Sequence, residues 1–182
     1  MKKIVSVIIL IMLIFLMYGC EKTTEKKINV PQSFACKIKT EYNNLNLYAD
    51  VEHYNPGISK ITILEPKNLK GLVINWNDNK TEVEYQGMKL DFVIEEYPDA
   101  AFIPAVLEFF DRYSAQNEIM LEKDENGNAS IFRGQFSSGE YTAKINPMTS
   151  VIEYVEIPSV NLLINLSDFT ALELTSTPEA SA

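Results

Sequence analysis

A period of two restricts this chain more than any other feature. Phe34, Cys36, Ile38 and Thr40 alternate with Ala35, Lys37, Lys39 and Glu41. Leu45, Leu47, Ala49 and Val51 alternate with Asn46, Tyr48, Asp50 and Glu52. Met88, Leu90, Phe92 and Ile94 alternate with Lys89, Asp91, Val93 and Glu95. Successive side chains of a strand point to opposite faces, so each run makes a strand with one buried and one wet face. Antiparallel sheets accept that asymmetry, whereas parallel sheets, covered on both faces, rarely do.

Turn chemistry falls between the runs. Asn43-Asn44, Asn55-Pro56-Gly57, Asp78-Asn79, Gly87, Asn126-Gly127, Ser138-Gly139 and Asn146-Pro147 separate about eleven short strands. Asn126-Gly127 is the strongest hairpin signal among them. Gly134, inside a strand, is expected to mark a bulge. One segment has a different rhythm. Between 102 and 113 apolar residues recur at 102, 103, 106, 107, 109, 110 and 113, with Glu108, Asp111 and Arg112 opposite them. This spacing predicts one amphipathic helix of about three turns, with Pro104 confined to its first turn. The fold class is therefore mainly β (α+β), an antiparallel sheet of about eleven strands with one main helix over one face.

The N-terminus supplies an address. Lys2 and Lys3 precede an apolar stretch at 4–18, and Gly19-Cys20 follows. A positive start, a short apolar core and a small residue at the cut site define a secretory signal. A cysteine directly after that small residue makes it a lipoprotein signal, with diacylglycerol joined to the Cys20 thiol. A membrane-spanning helix wants about 20 apolar residues. This run is shorter, and the polar segment from Glu21 follows at once. Two acyl chains hold a membrane stably where one does not. The expected organisation is a signal peptide at 1–19, the lipidated cysteine and a flexible tether at 20–30, a β domain at 31–172 and a disordered tail at 173–182. The expected location is the extracytoplasmic side of the cell membrane.

Loss of residues 1–19 leaves 14 basic and 25 acidic side chains, a net charge of −11. That charge argues against a nucleic-acid partner. With Cys20 acylated, Cys36 has no intramolecular partner, and its place in the alternation makes it a small buried hydrophobe.

Residues able to carry chemistry are few. The one histidine, His53, cannot make a paired-histidine or histidine–cysteine metal site. No G-x-S-x-G elbow surrounds any serine, so His53 is expected not to be catalytic. Glu95, Glu96 and Asp99 cluster before the helix and read as a solvated loop whose charge favours the helix dipole. The 124–128 segment (DENGN) has its glycine two positions too early for a calcium loop and lacks the bidentate glutamate, so it reads as a β-turn. P-loop, G-x-G-x-x-G and C-x-x-C motifs are missing from the sequence. The expectation is a non-enzyme with no cofactor and no metal. Trp76, the sole tryptophan, alternates with Leu72 and Ile74 and belongs to the core or to the lining of an apolar cavity.

The order of these elements resembles the LolA/LolB/LppX-like lipoprotein-carrier superfamily, in its divergent Gram-positive-type branch. An early strand pair (SFACKIKTEYNNLNLYADVEHY) leads into ITILEPKNLKGLVINW, where a strand ends at a proline and continues through Leu-x-Gly-Leu. TEVEYQGMKLDF then gives a strand, a Tyr-x-Gly turn and a strand, followed by the helix AAFIPAVLEFFDRY and a run of hairpins. The resemblance implies an open antiparallel half-barrel whose concave apolar face is covered by helix and holds acyl chains. The soluble carriers of the family latch their lid with an arginine that matches no position here. On this reading the chain is an envelope lipoprotein binding a lipid or acyl chain, with Trp76, Phe92, Phe102, Val106 and Phe110 lining the cavity. The competing expectation is an interaction or sensor lipoprotein with a filled core and an envelope protein as partner.

Overall fold

The computed structural model describes residues 26–173 apart from 44, 78–79, 93–101 and 138. The signal segment, Cys20, the acidic trio Glu95, Glu96 and Asp99, and the tail from 174 lie outside the described residues. In chain order the strands are β1 (Lys26–Asn29), β2 (Phe34–Tyr42), β3 (Leu45–Asn55), β4 (Ile58–Glu65), β5 (Val73–Asn77), β6 (Lys80–Tyr85) and β7 (Met88–Phe92). After the helix α1 (Phe102–Ser114) come β8 (Glu118–Lys123), β9 (Ala129–Phe136), β10 (Gly139–Ile145), β11 (Ile152–Ile157) and β12 (Leu162–Ala171).

These twelve strands form one sheet in the order β1-β8-β9-β10-β11-β12-β2-β3-β4-β5-β6-β7. Every neighbouring pair is antiparallel. Among the described residues β1 and β7 end the sheet, so it is an open half-barrel and not a closed one. Hairpin connections account for most of the order, and two pairings are long-range: β1 beside β8, and β12 beside β2, where Ser33 and Leu172 come side by side. There the Leu172 N–H donates to the Ser33 carbonyl at 2.9 Å.

Eleven strands correspond to the alternating runs. The twelfth falls at Lys26–Asn29, inside the 20–30 stretch expected to be tether, of which 20–25 lie outside the described residues. Lys26–Asn29 adds to β8 with Ile28 opposite Ile119, and both side chains are buried. A four-residue strand with one apolar residue has no period to detect, so its pairing is set by β8. Gly134 does not mark the expected bulge. The β9–β10 ladder runs through it without a register break, with Gly134 directly opposite Tyr141. The glycine is there for room: a Cβ on it would collide with the Tyr141 ring. That ring is stacked on Phe136 and meets Phe109 edge-on at 5.3 Å.

The 3.6-residue period appears as α1, which buries Phe102, Ile103, Val106, Leu107, Phe109, Phe110 and Tyr113. Phe102 meets Tyr42 at the end of β2, whereas Phe110 meets Phe34 at its start. The helix therefore runs antiparallel to β2 across the middle of the sheet. Phe109 reaches β10 through Tyr141, and Tyr113 donates its hydroxyl to the Ser150 carbonyl at 2.6 Å. The Gly57 N–H donates to Asp111 at 2.8 Å and ties the β3–β4 turn to the helix. The core sits between α1 and the central strands.

Candidate functional site

The helix covers only part of the face it lies on. Cross-strand register shows where its cover ends. One transverse row runs Cys36–Val51–Ile61–Ile74–Val83–Leu90 across β2 to β7. Its first four members are buried, Val83 is half-buried, and Leu90 is 65 % exposed. A parallel row runs Phe34–His53–Ser59–Trp76–Thr81–Phe92. Here Phe34 and His53 are fully buried and Trp76 is half-buried. Beyond them, Tyr85 is opposite Met88, which is 62 % exposed. The apolar face thus passes from buried Ile74 on β5 and buried Thr81 on β6, through half-buried Trp76 and Val83, to exposed Leu90 and Met88 on β7. Scattered exposed apolar residues are ordinary, but a contiguous set on one sheet face marks a surface made for contact.

The five residues expected to line a cavity fall in three different places. Phe102, Val106 and Phe110 lie on the buried face of α1, within the core cluster it forms with the sheet. Trp76 stands at the margin of the covered region, with its indole Nε1 buried and without a hydrogen-bond partner among the described residues. Phe92 pairs with Thr81 through its backbone in β7, and its side chain lies outside the description. Trp76 shares its sheet face with Val83, Met88 and Leu90, none of them among the five residues expected to line a cavity. Alternation marked them as sharing one face. It carries no signal for how far along the sheet the helix reaches.

His53 is a structural element of the same face. Burial pushes its pKa down to about 4. Nε2 lies 2.7 Å from Ser114 Oγ on α1, and Nδ1 lies 2.8 Å from Ser59 Oγ on β4. Ser114 Oγ also donates to the Asp111 carbonyl at 3.3 Å. The network is consistent with Nε2–H donating to Ser114 while Nδ1 accepts from Ser59. Asp111 Oδ1 is 3.9 Å from Nδ1. A serine–histidine pair can be nucleophile and base only if substrate reaches it, and this imidazole is fully buried. It fastens the end of α1 to β3 and β4. Cys36 is equally inert: burial, with Asp50 adding to it, raises its thiol pKa to about 12.

The 124–128 segment is a turn held by its own side chain. Asp124 accepts from the Asn128 N–H at 2.8 Å, the Asn126 N–H at 3.0 Å and Ser130 Oγ at 3.1 Å. These bonds, led by Asn128, hold its pKa below the usual carboxylate value. Among the described residues, no three or more His, Cys, Asp or Glu side chains are grouped to hold a metal ion.

No family model matches the chain, and no curated protein matches it. Solved structures similar to it include a LolA superfamily protein from Nitrosomonas europaea, at 13 % identity and TM-score 0.46, covering 81 % of this chain and 90 % of that one. An uncharacterized conserved protein from Thermus thermophilus is similar at 10 % identity and TM-score 0.42, covering 88 % and 90 %. A DUF1329 family protein from Desulfovibrio piger is similar at 10 % identity and TM-score 0.41, covering 81 % and 88 %. These are likenesses of fold and transfer no residue or ligand to this chain. The sequence resemblance implied an open antiparallel half-barrel with a helix across it, and the chain's own topology has that form.

Proposed function

We propose that the chain is a membrane-anchored envelope lipoprotein that holds an apolar ligand, the acyl chain of a lipid, against the part of this face left open at Val83, Met88 and Leu90. The observation that carries this is the row ending at Leu90: one apolar face, buried under α1, continues into residues left exposed. The role is non-enzymatic and uses no cofactor or metal. Two features support that. The one histidine is sealed in the core, and the surface on offer is aliphatic and aromatic. The filled core around Phe102, Val106 and Phe110 favours a second reading, a lipoprotein that binds an envelope protein and no lipid.

Trp76 separates the two readings. It is the only tryptophan, so intrinsic tryptophan fluorescence reports one position. Acyl chains brominated along their length are expected to quench it, and Leu90→Lys is expected to weaken the effect about tenfold, the equivalent of losing much of one buried leucine. A fluorescence signal unchanged by brominated lipid, with no lipid retained in native mass spectrometry, would favour the protein-binding reading.

The anchor has its own test. Among the described residues no helix is long and apolar enough to cross a membrane. An alkyne-bearing fatty acid fed to cells is expected to label the wild-type chain and not Cys20→Ala, which should also leave the membrane fraction. Equal labelling of both would refute lipidation at Cys20.

A further inference from the structure

The geometry points to β7 as a self-pairing edge, through which two copies of this chain join antiparallel about Leu90. Among the described residues β7 ends the sheet, and its residues Met88, Lys89, Leu90 and Asp91 are exposed. The hairpin leading into it turns at Gln86 and Gly87, with φ of 51° and 80°. Positive φ at both central residues is the type I′ turn of a two-residue hairpin, which places Tyr85 and Met88 in a hydrogen-bonded pair. Bonding alternates from there. Met88, Leu90 and Phe92 direct their backbone groups to β6, whereas Lys89 and Asp91 direct theirs outward from the sheet.

The edge sequence is complementary to itself. In an antiparallel pair centred on Leu90, Leu90 faces Leu90, Lys89 faces Asp91 and Met88 faces Phe92. Both outward-bonding residues then meet an opposite charge. Centring the pair on Lys89 or on Asp91 sets like charges face to face, which is unfavourable. Centring it between residues sets each outward-bonding residue opposite one already bonded to β6, so the ladder does not form, and apolar side chains meet charged ones. Of the registers centred within 89–91, the one on Leu90 remains, and it overlaps all five residues of β7. The neighbouring strand adds to this. Asp91 stands opposite Glu82, so a lysine arriving from the other side relieves a like-charge pair. Lys89 is already aligned on that face by Glu82 at 3.0 Å and Glu84 at 3.7 Å.

The other end of the sheet behaves differently. β1 carries Lys26 and Lys27 without an acidic residue, the pattern of an edge guarded against pairing. A β7–β7 contact is isologous and closes as a two-fold dimer. Residues facing each other across an antiparallel pair share a sheet face, so the exposed apolar surfaces of the two copies become continuous. Leu90 and Met88, otherwise 65 % and 62 % exposed, then have neighbours. This pairing goes beyond the ligand reading and does not depend on it.

The test uses the full chain in cells and extracted in detergent. Leu90 would form a non-hydrogen-bonded pair with its copy, with Cα atoms about 4.5 Å apart, which suits a disulfide. Leu90→Cys is expected to give a covalent dimer on mild copper oxidation. Met88→Cys is displaced from its own copy by four residues, about 13 Å along the strand, and should not. Cys36 is buried and stays out of the reaction. In native mass spectrometry Lys89→Asp is expected to weaken the dimer about tenfold, and Lys89→Asp with Asp91→Lys to restore it. Equal crosslinking at 88 and 90, no dimer from Leu90→Cys, or a charge swap that folds by circular dichroism yet fails to restore pairing would each overturn the proposal.

Discussion

Phe34→Ala is expected to lower the stability of the fold by about 3–5 kcal/mol, the usual cost of removing a large aromatic side chain from a packed core. A domain of this size holds about 5–15 kcal/mol in total, so the variant should sit near the edge of folding. The reason is position. Phe34 is fully buried at the start of β2, and three other elements meet on its ring. Phe110 and Tyr113 of α1 approach edge-on at 5.2 and 6.1 Å. Phe169 of β12 stacks on it at 4.8 Å, and His53 of β3 is tilted against it at 5.0 Å. Each of these rings is fixed by its own strand or helix, so none can move in to fill the space. Urea unfolding followed by far-ultraviolet circular dichroism measures the loss. Met148→Ala is the control: Met148 is 89 % exposed, and its removal should cost under about 0.5 kcal/mol. A Phe34→Ala loss below about 1 kcal/mol would mean that helix and sheet are not packed as described.

The same cluster shows how far the sequence could be read. The face to which Phe34 belongs was legible, because strand geometry fixes it locally. The helix was legible from the 3.6 period between 102 and 113. Which part of the sheet that helix covers was not. Leu47 and Leu90 occupy equivalent places in their alternations, yet Leu47 is buried and Leu90 is exposed. The difference comes from contacts such as Tyr42–Phe102 and Phe109–Tyr141, which join residues far apart in the chain. For the same reason Phe102, Val106 and Phe110 could be read as inward-facing without it being clear whether they faced a cavity or a packed core. β1 has one buried residue and hence no pattern. Gly134 read as a bulge because its partner Tyr141 lies across a hairpin. The serines on either side of His53 are 6 and 61 residues away, and no spacing rule joins them.

His53 gives the second large effect, and its sign is fixed by burial. Its folded pKa is pushed down to about 4, below the ordinary histidine value of 6.5. Between those values the unfolded chain binds a proton that the folded chain refuses, so stability rises with pH across that window. The contribution is fully present above about pH 6.5 and is lost as pH falls toward 4. A depression of this size corresponds to about 3 kcal/mol when both limits are reached. Carboxylates titrate in part of the same range, so the informative quantity is the difference between wild type and His53→Gln. Glutamine carries no titratable group and can still donate to Ser114. At about pH 7.5 the variant should be the less stable, because one hydrogen bond and the ring contacts with Phe34 and Phe110 are lost. Toward about pH 4.5 the gap should narrow or reverse. Protonation in the folded state would need a carboxylate to receive the charge. Asp111 stands 3.9 Å away, with its Oδ1 already accepting from the Gly57 N–H. A gap that stays constant from about pH 7.5 to about 4.5 would show that the imidazole keeps its proton affinity on folding. The helix end would then not be sealed against β3 as the Ser59–His53–Ser114 chain requires.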